Sequence, residues 1–592
     1  MGEKSTVTTE SSTPEPETPA NSAPATTTPS VGLEQKAVDE TRPLKVIVVG
    51  AGISGILAGI RLPQRLKNLD LVIYDKNPEV GGTWYENRYP GVACDIPSHS
   101  YQASFEPNPA WSRFYASGAE IEEYWKHVAK KYGVYQYTQL NREIIEARFD
   151  EARGKWRVKV KKLDTPEQEV FEDESDVLFS CMGALNQWKW PDIKGLHDFK
   201  GKIVHSANWD TNLDYTDKNV AVIGIGSSAI QIVPAMQKKV KKMDHYARGK
   251  TWIAMPFVSE FAENRNPDGK DFQFTEADIK RFQEDPEYFY QYRRELEHEL
   301  NSGHWVTMRG SDLQKAARAV FTESMKARLA KKPEIYESLL PSFPVACRRL
   351  TPGPGFLEAI VEDNVNFIPQ EISHITSDAI VTEDGTVRPV DIIVCATGFD
   401  TTWTKRYPLI GRGGQKISDK WRENPDTYMS MATDGFPNYF MTMGPNAAVG
   451  SGSLTIVLER VVDYICKAVE KIQRENIKTI EAKASSVEAF QRYCEAYFLG
   501  TVFTENCRSW YKNGKVDGKV VILWPGSCIH AERVLSNPRW EDWQYEYLND
   551  NPYGWLGNGW TMADLKPEAD RAYYLVHGQV DIPPVPPTAT LS

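Results

Sequence analysis

Closely spaced cysteines are missing from this 592-residue chain. Its eight cysteines, Cys94, Cys181, Cys347, Cys395, Cys466, Cys494, Cys507 and Cys528, are scattered, and no two stand as CxxC. That disfavours a zinc site or a dithiol redox centre and leads us to expect buried free thiols in a reduced compartment. Long apolar runs are missing too. The longest, VIVVGAGISGILAGI from Val46 to Ile60, is too short and too rich in glycine to fill the roughly 20 residues of a bilayer span, so no stable membrane insertion is expected. Excess positive charge is also absent: 69 Lys and Arg stand against 80 Asp and Glu, a net charge of −11. Such a chain repels a phosphate backbone, which argues against a nucleic-acid partner. What is present is a globular composition, 41% hydrophobic and 25% charged, at a length that suits several domains.

Residues 1–42 are rich in Ser, Thr and Pro, hold few apolar groups and read as a disordered tail. They show no signal-peptide or presequence pattern, so the expected location is cytoplasmic. Met1, Gly2 and Thr6 stand at myristoylation spacing, but an ordinary start is the expected reading. The C-terminal DIPPVPPTATLS reads as a second extended tail.

Lys45–Val49 (KVIVV) has the β-branched content of a buried parallel strand, and Gly50, Gly52 and Gly55 follow at once as GxGxxG. A helix-compatible stretch and a second strand, ending at Asp75 about 25 residues on, complete the dinucleotide fingerprint. Gly50 permits the turn, Gly52 the approach of a pyrophosphate, and Gly55 the packing of helix on strand. Asp75 would hold ribose hydroxyls and repel a 2′-phosphate, so FAD or NAD suits this site better than NADP.

The pattern recurs. Lys218–Ile223 (KNVAVI) leads into Gly224, Gly226, Ser227, Ser228 and Ala229, the GxGxxA variant. Here the acid is replaced by basic residues. Arg248 at the second strand end and Lys250 just after it are candidates for a 2′-phosphate, which predicts NADPH at this site. A solvated basic edge is the ordinary alternative. Two dinucleotide sites on one chain imply electron transfer between a nicotinamide and a flavin.

Between the loops, GGTWYENRYPGVACD (Gly81–Asp95) and FKGKIVHSANWD (Phe199–Asp210) resemble the motifs (A/G)GxWxxxx(F/Y)P(G/M)xxxD and FxGxxxHxxxW(P/D) of Baeyer–Villiger monooxygenases. ACRR (Ala346–Arg349), ATGFD (Ala396–Asp400) and SWY (Ser509–Tyr511) look like further segments of that family. The resemblance runs from about residue 44 to about residue 530. Related N-hydroxylating flavin monooxygenases typically carry Phe or Tyr where Trp209 stands.

The resemblance implies that NADPH reduces FAD, dioxygen adds to the flavin, and the flavin peroxide inserts one oxygen beside a ketone carbonyl to give an ester or lactone. It implies Arg349 as the catalytic arginine and Asp95 as the aspartate that orients it, with Gly82, Thr83, Trp84 and Asp95 beside FAD. It places Arg348 and Trp510 at NADPH and His205 in a linker that couples the domains, with Trp209 as a second conformational residue. No metal is expected. One departure is that the family often has Lys then Arg where Arg348 and Arg349 stand, followed here by the Pro- and Gly-rich LTPGPGFLEAI.

The expected fold is α/β, with an NADPH-binding Rossmann-like domain (191–395) inserted in a split FAD-binding one (43–190 and 396–530). A helical excursion is expected at about 258–342, as a solvated cap or an element of the substrate entrance. An aromatic-rich extension follows from 531 to 592. It looks like those of fungal members acting in secondary metabolism, which suggests a bulky ketone, although packing is the ordinary reading of its aromatics. The competing readings are a flavin monooxygenase that oxidises nitrogen or sulfur, and a catalytically silent flavin-binding protein.

Overall fold

Strands rich in β-branched residues and ending at glycine set the architecture of the computed structural model, which describes residues 33–266, 272–403 and 406–575. Leu44–Val49 is central in a five-stranded parallel sheet of order Tyr439–Met441, Val177–Ser180, Leu44–Val49, Leu69–Tyr74, Thr138–Gln139. Asn219–Ile223 is central in a second: Val365–Ile368, Lys242–Tyr246, Asn219–Ile223, Ile392–Cys395, Lys202–His205. These strands are apolar because helices cover both faces of such sheets.

Every strand of the second sheet falls in sequence between Val177–Ser180 and Tyr439–Met441 of the first, so one dinucleotide-binding fold is inserted in the other. The outgoing and returning chains run side by side. Trp188 bridges Phe399, and the Asp400 amide donates to the Gln187 carbonyl at 2.7 Å.

A four-stranded sheet, Leu409–Ile410 with Arg142–Asp150, Lys155–Lys162 and Val170–Ser175, packs Phe149, Trp156 and Val158 against Ile47, Val49 and Leu178 of the first sheet. The Gly-rich stretch before residue 454 opens the 21-residue helix Leu454–Arg474, whose Val457, Val461, Ile465, Ala468 and Ile472 are buried. Their spacing gives the helix one apolar face toward the core.

The excursion is helical: Ser259–Arg265, Glu276–Glu284, Pro286–Ser302, Asp312–Arg328 and Pro333–Leu339. It is more than a solvated cap. Phe289, Tyr292 and Leu296 join the core of the first fold, and Met325, Leu329 and Leu339 join that of the second.

Residues 41–550 form one compact unit. Its last strand, Trp543–Tyr547, pairs antiparallel with Ile477–Ala482, and Trp543 packs against Tyr428, Phe440 and Tyr464. Trp543 of the expected extension is therefore structural. A second unit joins the segment before residue 41 to the segment after 550. In it the Val38 amide donates to the Trp560 carbonyl, and the Asn558 amide to that of Lys36. The parts of the two expected tails at 1–32 and 576–592 lie outside the described residues. Among the described residues no helix is long and apolar enough to cross a membrane.

Candidate active site

Both glycine turns are built in the same way. Gly50 has φ +102°, and a Cβ there would stand 2.9 Å from the Cys181 carbonyl oxygen, just past the neighbouring strand. Gly224 has φ +122°, and its Cβ would stand 2.3 Å from the Ala396 carbonyl oxygen. Only glycine accepts this backbone at such close approach. A Cβ on Gly55 would fall 1.9 Å from the Gly50 carbonyl oxygen, which fixes the third glycine, whereas Ala229 is accommodated and buried.

The helices Ile53–Arg65 and Ser227–Gln237 start at Gly52 and Gly226, and neither has a side-chain cap. Their first amides are left for an anionic ligand. Asp75 follows its strand by one residue and accepts the Ala51 amide at 2.6 Å and the Asn77 amide at 2.8 Å. Burial raises its pKa, opposed by those two donors.

A cavity of about 540 Å³ opens here, lined by Gly50, Gly52, Asp75, Gly82, Thr83, Trp84, Asp95, Ser227, Arg349 and Trp510. These expected residues, far apart in sequence, are brought together. Gly82 lies so close to Gly52 that its Cβ would stand 2.9 Å from the Gly52 Cα, so two bare backbones face each other. Such a cradle, with uncapped helix amides beside it, fits a dinucleotide flavin. Gly55, Gly224, Gly226, Ser228, Arg248, Lys250, Arg348, His205 and Trp209 do not line this cavity, and neither does any described residue of the excursion.

The Gly81–Asp95 segment reaches from one dinucleotide site to the other. Gly91, at φ +84°, packs its backbone on the second helix, where a Cβ would stand 2.6 Å from the Gln231 carbonyl oxygen. Gln231 accepts the Tyr89 hydroxyl at 2.8 Å and donates to the Ala93 carbonyl at 3.0 Å. Two residues on, Asp95 takes both arms of Arg349, Nε at 3.1 Å and Nη2 at 2.7 Å. This bidentate fork fixes the guanidinium plane. The charge of Asp95 raises the Arg349 pKa further above its ordinary value.

Cys347, beside the two arginines, is joined to Cys507 by a disulfide with a Cα–Cα distance of 6.5 Å. The expectation of free thiols is corrected for this pair. The other six cysteines are free and buried. Across 160 residues the pair left no spacing to read, and it ties the ACRR loop to the loop that carries Ser509, Trp510 and Tyr511.

His205 is fully buried and stacks on Trp188 at 4.7 Å with an interplanar angle of 17°. Its Nδ1 accepts the Ala207 amide at 3.1 Å, and Nε2 lies 3.3 Å from the Thr397 hydroxyl in ATGFD. Burial lowers its pKa to about 4. A neutral ring thus joins the outgoing chain to the returning one, while Trp209 packs against the second core.

Arg248 lies two residues past its strand, where its Nη1 pairs with Glu371 at 2.7 Å on the exposed rim. Lys250 donates to the Glu337 carbonyl at 2.9 Å, and Arg348 to the Lys250 carbonyl at 3.1 Å. Exposed pairs of this kind hold a side chain weakly, which leaves it able to turn to a ligand. Ser227 shares a 2.6 Å hydrogen bond with Thr351, linking the second turn to the segment after Arg349.

Sequence reasoning missed Gln231, whose position in a helix gave no signal, and His245. The His245 Nε2 lies 2.8 Å from the Gly224 carbonyl oxygen and braces the second turn. Burial lowers its pKa to about 4, and that of His99 to about 3. His99 sits among the ring edges of Phe274, Phe282, Phe289 and Tyr292.

Folded-state values below the ordinary histidine value mean that the unfolded chain protonates first. The stability is fully present above about pH 6.5 and is lost as pH falls toward the folded values, about 2 kcal/mol for each residue by pH 5. The melting temperature is therefore expected to drop between pH 7.5 and pH 5, and His99→Phe to shrink the drop. A flat profile in thermal unfolding would contradict the assignment.

Comparison with known proteins agrees with this geometry. Residues 43–262 match the family described as flavin-binding monooxygenase-like. The FAD-binding monooxygenase tazF of Aspergillus terreus is 39% identical over 539 residues, which is 90% of this chain and 95% of that protein. A Baeyer-Villiger monooxygenase of Pseudomonas aeruginosa is 32% identical over 487 residues, 82% of this chain and 88% of that one. The crystal structure of cyclohexanone monooxygenase from Rhodococcus sp. Phi1 bound to NADP+ superposes with a TM-score of 0.73 at 25% identity, covering 86% of this chain and all of that one. With its two glycine turns and two dinucleotide-type folds, the chain belongs to the family of flavin-binding monooxygenases.

Proposed function

We propose that the chain inserts one atom of dioxygen beside a ketone carbonyl, giving an ester or lactone, with NADPH as reductant and water as the second product. Ketone, O2, NADPH and a proton are consumed; ester, NADP+ and water are formed. The observation that carries the reading is the bidentate Asp95–Arg349 pair on the wall of the flavin cavity.

Bound FAD, reduced by NADPH, supplies the activation of oxygen. The residues of this chain do the rest. Gly50, Gly52 and Gly82 admit the dinucleotide, and Asp75 holds its ribose. Arg349 offers a positive charge that no working pH removes, aimed by Asp95 at the oxygen on which negative charge grows. Ile96, Met443, Val449, Leu454, Leu458 and Leu523 give the cavity an apolar wall that excludes water and suits a bulky apolar ketone. At the second turn Gly226, Ser227 and Ser228 would seat the NADPH pyrophosphate, with Arg248, Lys250, Arg348 and Trp510 around the rest of the molecule. His205 acts as a positioning residue where the outgoing and returning chains meet, and Trp209 as one packed against the second core, both without a proton-transfer role.

The second site has its own test. Arg248→Ala is expected to reduce the preference for NADPH over NADH by about tenfold or more, because a charged fork on a phosphate is lost. Steady-state kinetics with both nucleotides measure it, and an unchanged ratio would remove Arg248 from the site. The reaction itself is tested by incubating the purified protein with cyclic ketones and detecting products heavier by one oxygen.

A further inference from the structure

Four cations line the flavin cavity: Lys76, Arg142, Arg349 and Arg406. Three have a carboxylate partner, Lys76 with Glu86 at 2.9 Å, Arg142 with Asp164 at 2.6 Å and Arg349 with Asp95 at 2.7 Å. Arg406 has none among the described residues. Its Nη2 donates to the Gly183 carbonyl, and its guanidinium lies 5.2 Å from the Trp403 ring. Gly183 belongs to the loop that starts at Cys181, whose carbonyl closes on Gly50, so Arg406 is held beside the first glycine turn. The Tyr407 hydroxyl next to it is buried and unpartnered. Burial lowers the Arg406 pKa, opposed only by the nearby hydroxyls of Tyr439 and Tyr407 and by no carboxylate.

A cation half-buried in a cavity without a counter-charge is costly, and a fold retains one where a ligand brings the missing charge. A dinucleotide flavin brings two negative charges into this cavity. We propose that Arg406 is an FAD ligand, supplying the counter-charge for the pyrophosphate of the cofactor from the returning segment after ATGFD. It adds a charged contact to a site that otherwise meets the phosphates with glycine backbone and helix amides. The stacked indole of Trp403 and the Gly183 carbonyl hold the guanidinium in place, leaving its other N–H groups for the phosphate oxygens.

The test titrates apoprotein with FAD, read by flavin fluorescence, for wild type, Arg406→Gln and Arg406→Lys. Gln keeps a donor for Gly183 and removes the charge; Lys keeps the charge and removes the fork. The expected result for Arg406→Gln is an FAD Kd raised about tenfold or more, with unchanged NADP affinity and a weaker dependence on salt. Arg406→Lys should lie between wild type and Gln. In competition, the Gln variant should lose affinity for ADP and keep that for adenosine.

The proposal is overturned if the Gln variant binds FAD within about twofold of wild type, or if ADP and adenosine weaken alike. If the Gln protein does not fold, the decision passes to Arg406→Lys: an FAD Kd between twofold and tenfold above wild type, rising with salt, supports the proposal, and any other value overturns it. Failure of the wild-type apoprotein to bind FAD would instead strike the cofactor assignment itself.

Discussion

Arg349→Ala is expected to yield a yellow protein whose flavin NADPH still reduces, while ester or lactone formation falls by about 10²–10³-fold or more. The guanidinium lines the cavity from its fork on Asp95 and takes no part in the glycine turns, so cofactor loading and catalysis should separate. Asp95→Ala should lie between the variant and wild type, because the charge stays but loses its bidentate anchor. Arg349→Lys should not restore the rate, since an ammonium cannot reproduce the planar fork. NADPH oxidation and product formation are measured together. A reduced flavin with no product is the expected signature, and an active Arg349→Ala enzyme would contradict the assignment.

Gly52→Ala and Gly226→Ala should each impair one cofactor site and spare the fold. Neither glycine has a positive φ. A Cβ on Gly226 meets no protein atom within 4 Å, and one on Gly52 meets the Gly82 Cα at an ordinary 3.5 Å. What the added methyl obstructs is the space a pyrophosphate needs. Gly52→Ala is expected to emerge as folded, colourless protein, and Gly226→Ala as flavin-loaded protein whose KM for NADPH rises about tenfold or more. Gly55→Ala is the contrasting control, because its Cβ falls 1.9 Å from the Gly50 carbonyl oxygen and must disturb the turn itself. Melting temperatures and flavin absorbance distinguish the three. Normal loading of FAD by Gly52→Ala would contradict the cradle.

Most of the first site was legible because its determinants are local. A β-branched strand, three glycines and a terminal acid occupy about 30 consecutive residues and state their geometry through backbone constraint alone. The Arg349–Asp95 pair was not legible from pattern: 254 residues separate its members, and only resemblance chose them from 69 basic and 80 acidic side chains. The Cys347–Cys507 bond was misread for the same reason, since spacing detects neighbours and not partners brought together by folding. Gln231 and His245 hold the bridging segment and the second turn through single hydrogen bonds that composition cannot reveal. Arg248 was legible as a basic residue near a strand end, but its rim pairing with Glu371 depends on a distant loop.

The outgoing and returning chains, side by side at Trp188 and Phe399, join the inserted fold to the first. His205 braces the place where these chains meet, Gly91 and Gln231 fasten the first fold to the second helix, and Arg349 reaches from within the insertion to Asp95 of the first fold. Movement of one fold against the other must act on these contacts.

Oxygen insertion is decided by incubating the FAD-loaded protein with NADPH, isotopically heavy dioxygen and a panel of cyclic and polycyclic ketones, followed by mass spectrometry. The expected result is an ester or lactone that carries one heavy oxygen atom, with its partner atom in water and product matched to NADPH consumed. Heavy oxygen found only in an amine or sulfide product, or NADPH oxidised to leave only hydrogen peroxide with every ketone, would contradict it.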